Sequence, residues 1–259
     1  MDGSTRARLN RHIISAYALQ YRTISGGLFE VMPDWARGYS GLQLPVFNIY
    51  LPRRAVGLND DTLADTSAFF SSRNVFYVIE LIHDLIPAGP DILDERRYQS
   101  LPPQPAMVLG QLPHHKLNPN VFVEPVATVP ALTAFCTLLH SVFDFNLRDM
   151  LTLHPVSQFK EDRIRHYLAF LDDQPVGAGT IICADDVASV WNVCTLDAYR
   201  RRGVATTLLH KMLSDATQNG CDLMMLYSTA QAYHLFNDFG FEIYTQRQWF
   251  LPPGIDYEE

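Results

Sequence analysis

Several features that would narrow the function at once are missing from this chain. Cysteine is scarce: Cys136, Cys183, Cys194 and Cys221 contain no C-x-x-C pair. That spacing matches neither a zinc site nor a disulfide framework, and it suits free thiols in a reducing, cytoplasmic setting. Positive charge is in deficit, with a formal net charge of −8 at pH 7. This excludes a general nucleic-acid or anionic-membrane binder and suits a cationic acceptor such as an amine. No apolar run approaches the ~18 residues of a membrane span. Arg6, Arg8 and Arg11 precede no long apolar core, so the start does not read as a secretory signal. Glu80, His83, Asp84 and Asp91 lack metal-ligand spacing, and no metal is expected.

What is present is a chain able to fold. Of its 259 residues, 47% are hydrophobic, enough for one large or two ordinary domains. Leu9, Ile13, Ala16, Tyr17 and Tyr21 mark one face of an N-terminal helix. Prolines 102, 103, 105, 113 and 119 crowd the stretch Leu101–Asn120 as in a connecting arm, which places a boundary near residue 118. The expected domains are therefore 1–118 and 119–259.

Beyond that boundary the pattern is regular. Val121–Val126 reads as a strand, and Leu132, Phe135, Cys136, Leu139 and Phe143 as a helix face. Arg165–Leu171, Val176–Cys183 and Val187–Thr195 read as strands, turned at Asp172-Asp173 and Asp185-Asp186. Leu208, Leu209, Met212, Leu213 and Ala216 form a helical stripe that stops at Asn219-Gly220. Cys221–Tyr227, apolar but for Asp222, reads as a strand covered on both faces. Ala232–Phe239 gives a last helix, and Phe241–Tyr244 and Gln248–Leu251 close with strand character. The order is β, α, β-β-β, α, β, α, β-β: a mixed α/β sheet whose strands 187–195 and 221–227 should run parallel across a helix.

Between those two strands lies Tyr199-Arg200-Arg201-Arg202-Gly203-Val204-Ala205. A strand, an Arg/Gly loop and a helix start form an anion cradle, because free amides and the positive end of the helix dipole face one spot. Gly203 and Ala205 are small enough to let the backbone close on the anion.

With Ala232-Tyr233-His234-Leu235-Phe236-Asn237-Asp238-Phe239-Gly240-Phe241, this loop resembles the GNAT family of acetyl-CoA-dependent N-acetyltransferases over residues 119–259. The resemblance implies the GNAT acyl-CoA N-acyltransferase fold, with acetyl-CoA as cosubstrate and a small-molecule, amino-acid or peptide amine as acceptor. It implies that the amides of Arg201–Thr206 hold the diphosphate of coenzyme A, aided by the side chains of Arg200, Arg201 and Arg202. It also implies that the pantetheine arm pairs with Val193, Cys194 and Thr195, and that the amide of Val193 stabilises the oxyanion as the amine attacks the thioester directly. Cys194 has no basic partner nearby in sequence and is not expected to be a nucleophile.

The chain departs from the family in one place. The family's acid is a Tyr four residues before the final G-F, and Phe236 stands there. Such an acid is worth roughly 10²–10⁴ in rate. Tyr233, one helical turn earlier, is the first substitute, with His234 and Tyr227 behind it. His166 and Asp144 are candidate bases through water. The missing acid also keeps open an alternative: a coenzyme-A-binding pseudoenzyme acting as a sensor or interaction module.

In the first 118 residues, Val46-Phe47-Asn48-Ile49-Tyr50 echoes Val190-Trp191-Asn192-Val193-Cys194. This suggests two tandem GNAT-like halves, the first degenerate. Asp60-Asp61 at its helix start should satisfy the helix amides and repel a diphosphate, so this half is expected to bind no cofactor. Trp35, Tyr39 and Phe47 are candidates to line the acceptor pocket.

Overall fold

A computed structural model describes residues 1–255. In chain order the elements are α1 (Gly3–Thr23), β1 (Leu28–Val31), β2 (Trp35–Tyr39), β3 (Ile49–Pro52), α2 (Asp60–Ser71), β4 (Val78–Ile82), α3 (Gly89–Glu95), β5 (Gln99–Ser100), β6 (Gln104–Leu109), β7 (Val121–Pro125), α4 (Val129–Phe143), α5 (Leu147–Leu153), β8 (Ile164–Leu171), β9 (Gln174–Ala184), β10 (Val187–Thr195), α6 (Val204–Gln218), β11 (Leu223–Tyr227), α7 (Tyr233–Phe239) and β12 (Glu242–Leu251). The closing strand character at 241–244 and 248–251 is one continuous strand, β12. Helix α5 escaped the periodicity reading because its seven residues span barely two turns. Its start was nevertheless marked, since the Asn146 side chain caps the Arg148 amide.

The chain forms two compact units. The first comprises Met1–Ile24 and Met107–Glu242, the second Ser25–Ala106 with the segment from Ile243 on. Relative to a contiguous cut at 118, this partition moves α1 to the later residues and β12 to the earlier ones.

In the first unit the strands run in the order β11-β10-β9-β8-β7. The hairpins β8/β9 and β9/β10 are antiparallel, and β10/β11 is parallel. Both hairpin turns use aspartate pairs with positive φ, Asp172-Asp173 and Asp185-Asp186, as tight hairpins require. Helix α6 buries the predicted stripe Leu208, Leu209, Met212, Leu213 and Ala216. It lies close to the sheet because β9 has glycines beneath it: a Cβ at Gly177 would sit 2.9 Å from Val204 Cγ1, and one at Gly179 would sit 2.7 Å from Met212 Sδ. Helix α1 buries Leu9, Ile13, Ala16, Tyr17 and Tyr21. Polar ties fix it to the same unit: His12 Nδ1 lies 2.9 Å from the Ala184 carbonyl, the Ser15 hydroxyl donates to Asp185 at 2.6 Å, and Arg8 pairs with Asp222. These contacts, made across a long sequence separation, are why the helix departs from its sequence neighbours.

In the second unit the strands run β1-β2-β3-β4-β12. The pairs β1/β2 and β2/β3 are antiparallel, and β3/β4 is parallel across α2. This repeats the first unit's sequence of hairpin, strand, helix and parallel strand. The core holds Tyr50, Phe70, Tyr77, Ile79, Leu93 and Phe250. Trp35 and Tyr39 pack against that cluster, and Arg37 stacks on the Trp35 ring at 4.8 Å. The echo between residues 46–50 and 190–194 falls on β3 and β10, the matching strands, although Pro45–Phe47 is a 3-10 turn ahead of β3. No helix among the described residues is long and apolar enough to cross a membrane.

Candidate active site

The site begins where β10 leaves β11. Parallel register runs from Val187 opposite Leu223 to Val190 opposite Leu226 and then stops. On the other edge, β9 continues to pair, with Cys194 opposite Ala178 and Thr195 opposite Gly177. A bulge lies between Trp191 and Cys194, and Asn192 within it has φ +57°. Asn tolerates that left-handed conformation better than most residues, and the bulge bends the strand away from its neighbour. Among the described residues, the edge of Trp191–Thr195 that faced β11 has no strand partner. This stretch includes Val193, Cys194 and Thr195, the residues that the family resemblance pairs with the pantetheine arm.

The loop follows. Arg200 N–H donates to the Asp197 carbonyl at 3.2 Å, and the first bond of α6 runs from Thr207 N–H to the Gly203 carbonyl at 3.0 Å. Among the described residues, the six intervening amides, Arg201 to Thr206, have no acceptor, and Gly203 provides no side-chain cap. Arg201 and Gly203 both have positive φ, +58° and +75°. The left-handed conformation favours glycine, and a Cβ on Gly203 would stand tightly, 3.2 Å from Asn118 Cβ. The result is a curl of amides on a helix N-terminus, an arrangement whose donors suit an anion.

The arginines divide. Arg200 pairs with Asp197 at 2.8 Å and donates from Nε to the Thr195 carbonyl at 3.3 Å. Arg202 faces Asp172 at 3.6 Å and lies over the Tyr199 ring at 5.4 Å. Arg201 is exposed and, among the described residues, meets no carboxylate. Of the remaining predicted residues, Val193, Ala205 and Thr206 are half-buried, while Cys194, Thr195 and Val204 are buried. Burial pushes the Cys194 thiol up to about 12. Burial thus favours the neutral thiol, which is a poor nucleophile.

Behind the bulge lies a buried polar chain that the sequence reading missed in part. Asn192 Nδ2 lies 3.4 Å from His154 Nε2 and 3.4 Å from Thr180 Oγ1. His166 contacts Thr180 Oγ1 at 2.8 Å and Gln158 Oε1 at 2.6 Å. Desolvation is the largest cause of a low pKa at both imidazoles: His154 is pushed down to about 4, and His166 lies well below the ordinary histidine value. Both ring nitrogens of His166 are engaged by side chains in the core, an arrangement that suits a structural residue.

Comparison with known proteins places one stretch of the chain in a family. Residues 134–241 match the model of the acetyltransferase (GNAT) family. Residues 134–241 are a GNAT domain. A GCN5-related N-acetyltransferase from Kribbella flavida superposes with a TM-score of 0.75 at 17% identity, over 94% of this chain and 95% of that one. A tandem GNAT protein from the clavulanic acid biosynthesis pathway gives 0.60 at 11% identity, over 86% of this chain and 80% of that one. The fold is thus the GNAT fold, in tandem. An uncharacterized Bacillus subtilis protein, YyaT, is 24% identical over 97 residues, which is 38% of this chain and 64% of its own length.

Within the GNAT domain, α7 begins at Tyr233, after β11 ends, so Tyr233 lies at the same end of the parallel pair as the open strand edge. Its hydroxyl donates to Asn237 Oδ1 at 3.4 Å, and it packs, like Val193, against the domain's central core cluster. Phe236 is buried at 5% exposure, with its ring 6.0 Å from that of Phe241. Asn118, Gly177 and Gly179 are site-shaping residues that the sequence reading passed over. The two glycines in one apolar strand were a legible sign of close backbone approach.

Proposed function

We propose that this protein is an acetyl-CoA-dependent N-acetyltransferase acting on an amine. The observation that carries the proposal is the run of six unpartnered amides from Arg201 to Thr206, beside the open edge of β10. The donor set fits a diphosphate: it is backbone N–H only, on a helix N-terminus, with Arg201 available for charge. In this reading the amides of Arg201, Arg202, Gly203, Val204, Ala205 and Thr206 hold the diphosphate. Arg200 and Arg202, tied to their own carboxylates, shape the loop, and Val193, Cys194 and Thr195 pair with the pantetheine arm.

Acetyl-CoA supplies the acetyl group as a thioester. The Val193 amide donates to the carbonyl oxygen where negative charge grows as the amine attacks. An alkylamine of pKa ~10.4 is only about one part in a few thousand neutral at pH 7, so it must shed a proton first. Tyr233 donates a proton to the departing sulfur, the role from which the buried Phe236 is barred. The acceptor is a small molecule, an amino acid or a peptide amine. Catalysis belongs to residues 119–259, and the earlier GNAT-like half takes no cofactor.

Calorimetric titration with coenzyme A, followed by an acetyl-CoA consumption screen over amines, tests the proposal. Binding with turnover on at least one amine supports it, and absence of binding overturns it. Replacing Tyr233 with Phe should lower turnover across pH 6–9, and unchanged turnover removes Tyr233 from the mechanism. Phe236 favours one second reading, a coenzyme-A-binding sensor. Binding without turnover on any amine would select it.

A further inference from the structure

Asn118 uses every polar group it has around the loop. Its backbone N–H donates to Thr207 Oγ1 at 3.2 Å, and its carbonyl accepts from Val121 N–H at 3.1 Å. Its Oδ1 accepts from Asn120 N–H at 2.9 Å, which orients the side-chain amide and leaves Nδ2 as the outward group. That Nδ2 donates to the Arg202 carbonyl at 2.7 Å. Asn118 Cβ is also the atom that a side chain at residue 203 would strike.

The Arg202 carbonyl and the Gly203 N–H belong to one planar trans peptide, so they point in opposite directions. A donor that fixes the carbonyl on one side therefore aims the amide to the other. We infer that Asn118 is a positioning residue for the anion cradle: by holding the Arg202 carbonyl it turns the Gly203 amide toward the bound diphosphate. The inference rests on the coenzyme A reading above. It gives the Pro-rich arm, which looks like a linker in sequence, a part in cofactor binding. The same contact keeps Arg201 and Gly203 in their left-handed conformations before any ligand arrives, so less ordering is left for binding to accomplish.

Serine at this position keeps an acceptor for the Asn120 amide but is too short to reach Arg202, and it adds no charge. Asn118→Ser should weaken coenzyme A about tenfold by calorimetry, the size of one lost orienting hydrogen bond. It should leave affinity for pantetheine, which lacks the diphosphate, unchanged, and the melting temperature near that of the wild type. Asn118→Asp keeps the turn equally well but sets a carboxylate oxygen against the Arg202 carbonyl, and should cost more than the serine change. A residue that merely shaped the turn would lower both affinities together or neither. Wild type binding coenzyme A with the serine variant equal to it, or with the pantetheine affinity falling in parallel, overturns the role of Asn118 alone. Wild type failing to bind coenzyme A overturns the cofactor reading itself.

Discussion

The two strand–helix turns, β3 to α2 and β10 to α6, share one topology and carry opposite chemistry at their tips. In the first, the chain consumes several of its own donors. The amides of Arg53 and Arg54 donate to the Asp34 carbonyl at 2.8 and 3.3 Å, and Gly57 N–H donates to Arg54 at 2.9 Å. Thr62 N–H is capped by Asn59 Oδ1 at 2.8 Å, and the Tyr50 hydroxyl closes on the Gly57 carbonyl at 2.6 Å. In the second turn, six consecutive amides are left open. Backbone donors are obligatory hydrogen-bonding groups, so each turn must satisfy them somehow. Self-satisfaction makes a stable connection. Deferral to solvent or ligand leaves donors that an anion can fill, and the lost cap is its cost in stability. The expectation that Asp60 and Asp61 would occupy the helix amides needs refining, because the cap is Asn59 and Asp60 is paired with Arg96 at 2.8 Å.

The sharpest way to break this contrast is Gly203→Val. The change opposes φ +75° and drives a side chain toward Asn118, so coenzyme A affinity should fall by about 100-fold or more in calorimetry. Near-normal binding would mean that the curl of amides is not the site.

The next contrast lies between the cores. The first unit buries His154 and His166 neutral, whereas the second buries Tyr50 and Tyr77, whose phenols burial holds un-ionised. A histidine whose folded pKa is lowered contributes its stability in full above its unfolded value, near 6.5, and loses it as pH falls toward the folded value, here about 4. Going from pH 7.5 to pH 5 should therefore cost the first unit about 2 kcal/mol from His154 alone, while the phenols contribute no change. Urea unfolding at the two pH values, with fluorescence of Trp191 and of Trp35 in single-tryptophan variants, checks it. Equal acid sensitivity in both units would end the distinction.

Ala205→Asp copies Asp61 onto α6. Binding of coenzyme A should weaken about tenfold through repulsion of the diphosphate, while the free protein gains about 0.3–1 kcal/mol from the helix dipole. Titration and thermal melting read the two halves of that trade. Asn59→Ala is the smallest change: it removes a cap and should cost about 1 kcal/mol without creating coenzyme A binding, since Asp34 and Arg54 still hold the neighbouring amides.

Much of this was written locally. The limits of β10, the α6 stripe and the aspartate hairpins followed from runs of apolar residues and turn formers, which act over a few residues. The cradle was legible because Gly203 and Ala205 stand beside a strand end. His166 was harder. A histidine in an alternating strand reads as an edge residue until the sheet places Phe135, His154 and Gln158 around it. Asn118 was hidden for the same reason, because its partners at 202 and 207 lie far along the chain.

The sequence alone determined the element order, the parallel crossover, the glycine at the turn before α6 and the Phe236 that stands where the resembled family carries Tyr. These depend on periodicity, turn chemistry and residue identity, which neighbours in sequence settle. Only the tertiary structure decided that α1 joins the later residues and β12 the earlier ones, that Asn59 rather than Asp60 seals the other turn, and which amides stay open. Those outcomes turn on which distant group reaches a donor first, and hydrogen bonds and packing of that range exist only once the chain has closed on itself.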